Sequence, residues 1–270
     1  MINSIIIAPK INAERVKKYL DSGKRFDGRD KDEFRDIEIE TGVSVKAEGS
    51  ARARIGKTEV IVGVKMDVGT PYADSQDAGN LSVMAELLPL SSPRFELGPP
   101  RFEAVELGRL VDRSIRESKF INLKGLCIKE GEKVWNIFLD VYTINDDGNL
   151  LDTAILAAIA ALKEAKIPVY NEETEKVQYG EWTNKKLPLS KEIPMPITVH
   201  KIGNNFIVDP TREEEDLSEV RVAIAMHDGT IHSMQKGNSD PLTTEQFSEV
   251  LDLAEAAEKK ILKKVEKYLK

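Results

Sequence analysis

The feature that most constrains the fold is the order in which two hydrophobic periodicities follow one another along the chain. Apolar residues alternate with polar ones at residues 36–45 and 58–68, as in half-buried strands, and helix-like spacing follows at 101–118. The same succession returns in the last third, where short strand-like runs precede a long charged helix at about 243–269. Strands followed by helices, twice over, predict an α+β fold of two similar lobes rather than a regularly alternating α/β sheet.

The polar segments between these runs divide the chain into four predicted parts. They are an N-terminal helical extension, a first lobe, a connection without clear periodicity and a second lobe with the C-terminal helix, at residues 1–24, 25–166, 167–193 and 194–270. The extension carries a short amphipathic helix at 11–22. In the first lobe, residues 80–90 predict a more fully buried strand, and Asp152 is an N-cap candidate for a helix over 153–166.

The composition argues against three classes of protein: one that is basic over its whole surface, one stabilised by disulfides and one that spans a membrane. Lys and Arg number 39 against 46 Asp and Glu, so the net charge is −7 and any contact with nucleic acid must be a local patch. A single cysteine excludes an internal disulfide framework and favours a reducing cytoplasm. The most apolar stretch, residues 155–162, is far shorter than the roughly 20 residues of a membrane span. We therefore expect a soluble cytoplasmic protein.

Four motifs carry a family resemblance, in the same order and at comparable spacing along nearly the whole chain. They are RFDGR at 25–29, NLSVMAELLPL at 80–90, GPPRFEAVELGRLVDRSIRES at 98–118 and WNIFLDVYTINDDGN at 135–149. Together they resemble the RNase PH family, and within it the non-catalytic RNase PH-type subunits of archaeal exosomes. The resemblance implies an RNase PH-type fold of two similar βα lobes.

The resemblance also implies an assembly. Proteins of this family form hexameric rings around a central channel, and active members degrade RNA from its 3′ end by phosphorolysis. In the archaeal exosome three heterodimers of a catalytic and a non-catalytic subunit alternate, and RNA-binding cap subunits cover one face. The expected partners of this chain are therefore a catalytic RNase PH-type subunit, cap subunits and single-stranded RNA, with no cofactor and no membrane.

The residues that would hold phosphate are missing from their expected position. Active members place a Gly-Gly-Thr-Arg-like turn at the start of the helix after the WNIFLDVY-type strand, and its arginine binds phosphate there. In this chain Leu151 stands where the arginine is expected, and Asp152 brings a negative charge beside the position of the anion. The resemblance therefore implies that the phosphate site has been lost.

The acidic pair of the second lobe is also incomplete. Active members carry two aspartates six residues apart, which act as proton donor or hold a metal. At the matching positions this chain has Glu215 and Arg221, and a guanidinium neither donates a proton near neutral pH nor binds a cation. We expect residues 213–216 to form a solvated acidic loop, and the three scattered histidines to form no metal site.

One feature points towards binding rather than catalysis. Arg109, Arg113 and Arg116 lie at i, i+4 and i+7 of the predicted helix, within about 60° of one another at ~100° per residue. Guanidinium groups in a row suit the phosphodiester oxygens of a single strand without selecting its sequence. The resemblance assigns RNA binding to Arg109 and Arg113, and spacing alone adds Arg116. Interleaved acidic residues leave a salt-bridged surface or a subunit interface open as alternatives.

Four further arginines have less defined roles. Arg25 and Arg29 are expected to pair with aspartates of the same loop, although a subunit contact or a backbone phosphate stays open. Arg52 and Arg54 alternate on a strand and face either a channel or solvent.

These observations predict a non-catalytic component of an exosome-type ring, which pairs with a catalytic subunit, structures its active site and helps to bind RNA. Three alternatives stay open. An active phosphorolytic exoribonuclease needs substitutes for the missing arginine and aspartate. A homo-oligomeric RNA-binding ring assembles without a partner. A small-molecule phosphotransferase needs a glycine-rich phosphate loop, and the sequence has no GxxxxGK[ST] motif.

Overall fold

Two sheets and the helices packed on them make up the computed structural model, which describes residues 10–269 and the side chains from residue 13 onward. The helices are α1 (Lys10–Asp21), α2 (Phe102–Glu117), α3 (Leu150–Glu164), α4 (Arg212–Glu215) and α5 (Thr244–Val265). The strands are β1 (Ile37–Thr41), β2 (Gly49–Ile55), β3 (Thr58–Gly69), β4 (Asn80–Glu86), β5 (Cys127–Lys129), β6 (Lys133–Asn145), β7 (Lys166–Asn171), β8 (Lys176–Lys186), β9 (Met195–Ile202), β10 (Asn205–Val208), β11 (Val220–His227) and β12 (Thr230–Gly237).

The first lobe is a six-stranded sheet with α2 and α3 packed on it. Its strands run in the order β1-β2-β3-β6-β4 with β5 added to β6, and only β4 and β6 are parallel. Gly49 lets α3 approach β2 closely, because a Cβ there would lie 2.3 Å from the carbonyl oxygen of Ala161. The opposite face of the sheet leaves Met84, Phe138 and Tyr142 exposed.

The second lobe is an antiparallel sheet in the order β10-β9-β11-β12, against which α5 packs. Asp228 and Gly229 both have positive φ and form the tight turn between β11 and β12 that the sequence HDGT predicts. Helix α3 contacts β2 and β3 of the first lobe and β9 of the second, and residues 154–162 are all buried. A helix that is apolar on every side is suited to this position between two sheets.

The structure confirms the α+β fold, the two lobes and the long C-terminal helix, and it places α1 and α2 within one residue of their predicted bounds. Residues 1–9 of the predicted extension lie outside the described residues. The prediction of a buried strand at 80–90 is wrong, since β4 is an edge strand whose Met84 is 57% exposed. The interval 167–193, for which the sequence predicts no strand, contains most of the β7–β8 hairpin. Most of β8 is exposed, so it lacks the alternation by which a half-buried strand is recognised.

Candidate functional site

A cleft of about 570 Å³ lies between the lobes. Its walls come from the loop after β4, from α2, from the start of α3 and from β9, α4 and β11. Leu151, Glu215 and Arg221, three of the four positions that the sequence predicts to be degenerate, line this cleft. Asp152 does not. The structure therefore brings together three residues that lie far apart in the chain.

The start of α3 is occupied by a carboxylate of the chain itself. Oε2 of Glu215 accepts a hydrogen bond of 3.0 Å from the backbone N–H of Asn149, which is the N-cap of α3. Arg212 lies 3.2 Å from the same carboxylate. Gly148 before the cap has a φ of 86°, and a Cβ there would lie 2.5 Å from the carbonyl oxygen of Pro210. The N-terminal end of a helix attracts anions, and here it holds a side chain.

Leu151 and Asp152 differ in their surroundings although they are neighbours. Leu151 is 7% exposed and presents hydrocarbon to the cleft. Asp152 is fully buried and accepts hydrogen bonds from the N–H and the hydroxyl of Thr198 on β9, at 3.1 and 2.6 Å. Burial raises the pKa of Asp152 to about 6, against the hydrogen bonds from Thr198, which lower it. The N-cap prediction for Asp152 is wrong, because the N-cap of α3 is Asn149, three residues earlier, and the Asp152 carboxylate joins α3 to the second sheet.

The second degenerate position forms an ion pair across the cleft. Arg221 on β11 donates to Oε1 of Glu106 on α2 at 2.6 Å, and Gln235 donates to the same oxygen at 3.2 Å. His200 also lines the cleft, where burial and then the charges of Arg221 and Arg212 lower its pKa to about 3. Its imidazole is therefore neutral near pH 7 and offers no cation to an anionic ligand.

The acidic segment 213–216 is a capped helix, and the prediction of a solvated loop is wrong. Thr211 and Glu214 form a capping box at the start of α4. Glu214 is buried and binds Arg25 through two hydrogen bonds of 3.0 and 2.6 Å. Asp216 binds Arg94 of the loop after β4 and also Arg212. Every acidic residue of this segment except Glu213 thus has a basic partner.

Asp209 is a buried centre that the sequence does not reveal. It accepts hydrogen bonds from Arg29 and Arg35 and from the side-chain amide of Asn149. Burial alone would raise the pKa of Asp209, but the hydrogen bonds and charges of these two arginines outweigh it and lower the pKa. The partners come from two segments far from Asp209 in the sequence, the loop before β1 and the start of α3, so no local pattern could have identified them. This network holds the first turn of α3 in place.

The structure resolves the two loop arginines differently. Arg29 pairs with Asp27 at 2.7 Å, as predicted, and also with Asp209. Arg25 has its buried partner in Glu214 rather than in an aspartate of its own loop. Both are structural pairs, and the guanidinium of Arg25 is completely buried.

The three arginines of α2 form a row, but they are not equivalent. Arg109 is exposed and Arg113 is half-buried, and neither makes a hydrogen bond or an ion pair with another described residue. Arg116 is bound by Asp112 at 2.6 Å and by the carbonyl oxygen of Leu81 at 3.0 Å. The row therefore offers two guanidinium groups without partners and one that is already engaged.

The two remaining candidate arginines are paired with glutamates. Arg52 pairs with Glu40 and Glu59, and Arg54 pairs with Glu38 and Glu59. Within residues 10–269 no group of three or more histidines, cysteines and acidic residues is placed to hold a metal ion. No helix in the same range is both long and apolar enough to cross a membrane.

Comparisons with known proteins agree with this geometry. The model of the 3′ exoribonuclease family, domain 1, matches residues 33–168, and that of domain 2 matches residues 192–257. The exosome complex component Rrp42 of Methanothermobacter thermautotrophicus is 44% identical over 255 residues, 94% of each chain. The counterpart of Methanosarcina acetivorans is 46% identical and covers 92% of this chain and 91% of its own.

A solved structure shows the same similarity. A chain from the Archaeoglobus fulgidus exosome with RNA bound to the active site has a TM-score of 0.86 and 42% identity. The match covers 97% of this chain and 99% of that one. The RNase PH-type arrangement of two lobes is thus shared over essentially the entire length.

Proposed function

Because the chain belongs to the 3′ exoribonuclease family of RNase PH-type proteins, we propose that it is a non-catalytic subunit of an exosome-type ring. In this role it supports phosphorolysis of RNA by a catalytic neighbour. Relatives named as exosome components match it over more than nine tenths of their length, which supports membership of the ring. The observation that carries the non-catalytic part is the Glu215 carboxylate at the start of α3.

Phosphorolysis requires an inorganic phosphate held beside the last phosphodiester. The N–H of Asn149 is already used by Glu215, and the negative charge of that carboxylate repels a second anion. Leu151 contributes no cation where a phosphate-binding arginine is needed. Arg221 is neutralised by Glu106 and supplies no carboxylate for acid catalysis or metal binding. These three positions therefore support a cleft in which the anion position at α3 is taken and the second carboxylate of the acidic pair is missing.

Phosphorolysis by the purified chain alone tests the non-catalytic role. We would incubate it with a poly(A) oligonucleotide, phosphate and magnesium and follow the release of ADP. The reference reactions contain the catalytic RNase PH-type subunit of the same organism, alone and together with this chain. We expect no ADP from this chain alone and more ADP from the mixture than from the catalytic subunit alone. ADP released by the isolated chain would establish the alternative, an active exoribonuclease.

Binding of single-stranded RNA by Arg109 and Arg113 is the second part of the proposal. The two residues lie on one side of α2, about 6 Å apart along the helix axis at 1.5 Å per residue. Neither has an acidic partner among the described residues, so each is available to phosphodiester oxygens. Arg116 orients this part of the helix through Asp112 and the Leu81 carbonyl, and it is a lesser contributor.

Charge reversal of both arginines tests the RNA contact. In the assembled complex, Arg109→Glu with Arg113→Glu should weaken RNA binding at least about tenfold, since each lost guanidinium removes charge-assisted hydrogen bonds. The slope of log affinity against log salt should fall by about 1.4, at ~0.7 per phosphate contact of a single strand. The matched control is Lys176→Glu with Lys185→Glu, two exposed lysines of β8 with the same change in charge. Equal effects of both double variants would reject a specific site on α2.

The uncovered face of the first sheet is the surface that we propose for the ring neighbour. At its β4–β6 end Met84, Phe138 and Tyr142 are 57, 37 and 36% exposed, on neighbouring strands. At the β1–β2 end the same face carries the ion pairs of Arg52 and Arg54 with glutamates. An apolar area beside a charged rim is typical of subunit interfaces. The native mass of the chain, alone and mixed with the catalytic subunit, distinguishes this heteromer from a homo-oligomeric ring.

A further inference from the structure

The arginine row of α2 continues, towards the start of the helix, into an exposed aromatic residue. Phe102 is the first residue of α2, and 74% of its surface is exposed. Its ring belongs to neither hydrophobic cluster of the described residues. Pro99 and Pro100 precede the helix and restrict the backbone there. The aromatic ring is therefore held at a defined end of the row without contributing to the core.

Helix geometry aligns this ring with the two arginines without partners. At ~100° per residue, Phe102 lies within about 20° of Arg109 and of Arg113 around the helix axis. At 1.5 Å per residue, the ring is about 10 Å from Arg109 along the axis. Between them Val105, about 60° to one side, is 47% exposed, and Glu106, about 40° to the other side, is held by Arg221 at 2.6 Å. The surface is therefore exposed from Phe102 to Arg109, and Arg113 beyond it is half-buried.

The chemistry of this line suits a single-stranded nucleic acid. Guanidinium groups bind the phosphodiester backbone, whereas a flat aromatic ring stacks on a base and tolerates any base because each has a π face. A protein partner would have to supply its own acidic groups to Arg109 and Arg113, because this chain gives them none among the described residues. A strand that passes along α2 satisfies both kinds of group at once.

We propose that Phe102 is a stacking platform for an RNA base, placed at one end of a track whose phosphates bind Arg109 and Arg113. The inference rests on the proposed RNA binding by these arginines and adds a contact that is independent of charge. It also gives the track a direction, along α2 from Arg113 towards the helix N-terminus beside the cleft.

The ionic contacts of the arginines and the stacking contact of Phe102 should differ in their dependence on salt concentration. In the assembled complex, binding of a labelled oligo(A) strand would be measured by fluorescence anisotropy over a series of KCl concentrations. Phe102→Ala should weaken binding about tenfold at every concentration, with the salt slope unchanged, because a stacked base releases no counterions. Phe102→Leu keeps an apolar side chain but no ring and should bind as weakly, whereas Phe102→Trp should restore the affinity. Tyr179→Ala removes an exposed aromatic ring from β8 and should leave binding unchanged.

The outcomes distinguish this inference from the function on which it rests. Unchanged binding by Phe102→Ala, together with weak binding by the double arginine variant, overturns the stacking contact and leaves the arginine site intact. Unchanged binding by both variants overturns the RNA site itself. If the Phe102→Ala variant no longer assembles into the complex, as judged by native mass, Phe102 belongs to the subunit interface. That result would also overturn the stacking contact. Tryptophan fluorescence of Phe102→Trp gives a direct measure, since stacking on RNA should quench the added signal relative to wild type.

Discussion

Glu215 places a carboxylate of the chain itself at the start of α3. The end of a helix attracts negative charge, and in this chain the acidic helix α4 supplies that charge from 66 residues away in the sequence. The carboxylate is also bound by Arg212, which has Asp146 and Asp216 as further partners. Removing Glu215 therefore leaves Arg212 in place beside an unoccupied N–H group.

Glu215→Ala should create a weak phosphate site at the start of α3. We expect phosphate to raise the melting temperature of this variant by a few degrees over chloride at equal ionic strength. At ten times the dissociation constant, binding stabilises by about 1.4 kcal/mol. The wild type reports the general effect of phosphate on stability, and Glu213→Ala, an exposed neighbour, is the matched control. A shift no larger than in these two proteins would mean that Glu215 is not what excludes phosphate.

Asp152 gives a second residue-scale prediction, on the dependence of stability on pH. Its pKa of about 6 in the folded protein lies above the ordinary 3.8, so the folded protein binds this proton more tightly than the unfolded chain. The associated stability is present below about pH 4 and is lost as the pH rises through 6. The difference corresponds to about 3 kcal/mol. Asp152→Asn keeps acceptor and donor for Thr198 and cannot ionise, so its stability relative to wild type should increase by about 1–3 kcal/mol over this range.

Urea unfolding at pH 4 and at pH 7.5 measures this difference. Asp152→Ala is the companion variant, and at pH 4 it should be destabilised by about 2–4 kcal/mol, because the N–H and hydroxyl of Thr198 lose their acceptor. Alanine cannot ionise either, so this deficit relative to wild type should shrink by about 1–3 kcal/mol at pH 7.5. A pH-independent difference between wild type and Asp152→Asn would show that the buried carboxylate does not titrate as described.

The sequence identifies several of these positions but not what they do. Leu151 and Arg221 stand out because the residue types that the resembling enzymes are expected to need are absent from these positions. The contacts of Glu215, Asp152 and Asp209 depend on partners that are at least 46 residues away in the sequence. No local pattern encodes such pairs, so hydrogen bonding to Thr198 or to the start of α3 became visible only in the folded chain.

At the scale of elements, α4 is held by a buried ion pair. Arg25 donates twice to the Glu214 carboxylate and also to the carbonyl oxygens of Val208 and Asp209. The two side chains are 0 and 4% exposed, so loss of either partner leaves a buried charge without compensation. This pair connects the loop after α1 to the second lobe.

A double-mutant cycle on Arg25 and Glu214 tests that connection. Arg25→Met and Glu214→Leu should each reduce the free energy of unfolding by about 3–5 kcal/mol, whereas the double variant should lose clearly less than their sum. Urea unfolding monitored by circular dichroism gives the values. Arg29→Met is a useful comparison, since the Asp209 carboxylate retains Arg35 when Arg29 is removed. Additive losses would mean that the two side chains act independently.

Predictability differs between elements for physical reasons. Helix α2 shows a clear apolar side and a polar side, so its bounds follow from periodicity. Helix α3 is apolar throughout and starts after Asn149 in a left-handed conformation, so the usual preference for a capping aspartate led to the wrong residue. Strand β8 is exposed on both sides, and its pairing with β7 leaves no pattern in the sequence.

At the scale of the molecule, one hydrophobic cluster extends through both lobes. It includes Val62 of the first sheet, Ile159 of α3, Val199 of the second sheet and Ile261 of α5. The order of strands and helices was enough to predict two lobes. Helix α3 determines which faces of the two sheets meet, because its apolar residues cover both sheets. The sequence of α3 is apolar throughout, so it does not indicate which of its sides contacts which sheet. The shared core holds the cleft and the exposed sheet face in a fixed relation.

Met84→Lys tests whether that sheet face binds the ring neighbour. Met84 is 57% exposed on the edge strand β4, so a lysine there should leave the melting temperature of the isolated chain almost unchanged. If the face is buried in the ring, the added charge should weaken assembly with the catalytic subunit by about 2 kcal/mol, roughly 30-fold. Native mass spectrometry of the mixture at limiting concentration measures the fraction assembled.

Ile231→Lys on β12 of the other lobe, 40% exposed, is the control for an added lysine. Because RNA degradation by the ring depends on its assembly, ADP release should fall in proportion for Met84→Lys alone. An intact ring with Met84→Lys would place the neighbour elsewhere and leave the exposed methionine, phenylalanine and tyrosine of this face without a partner.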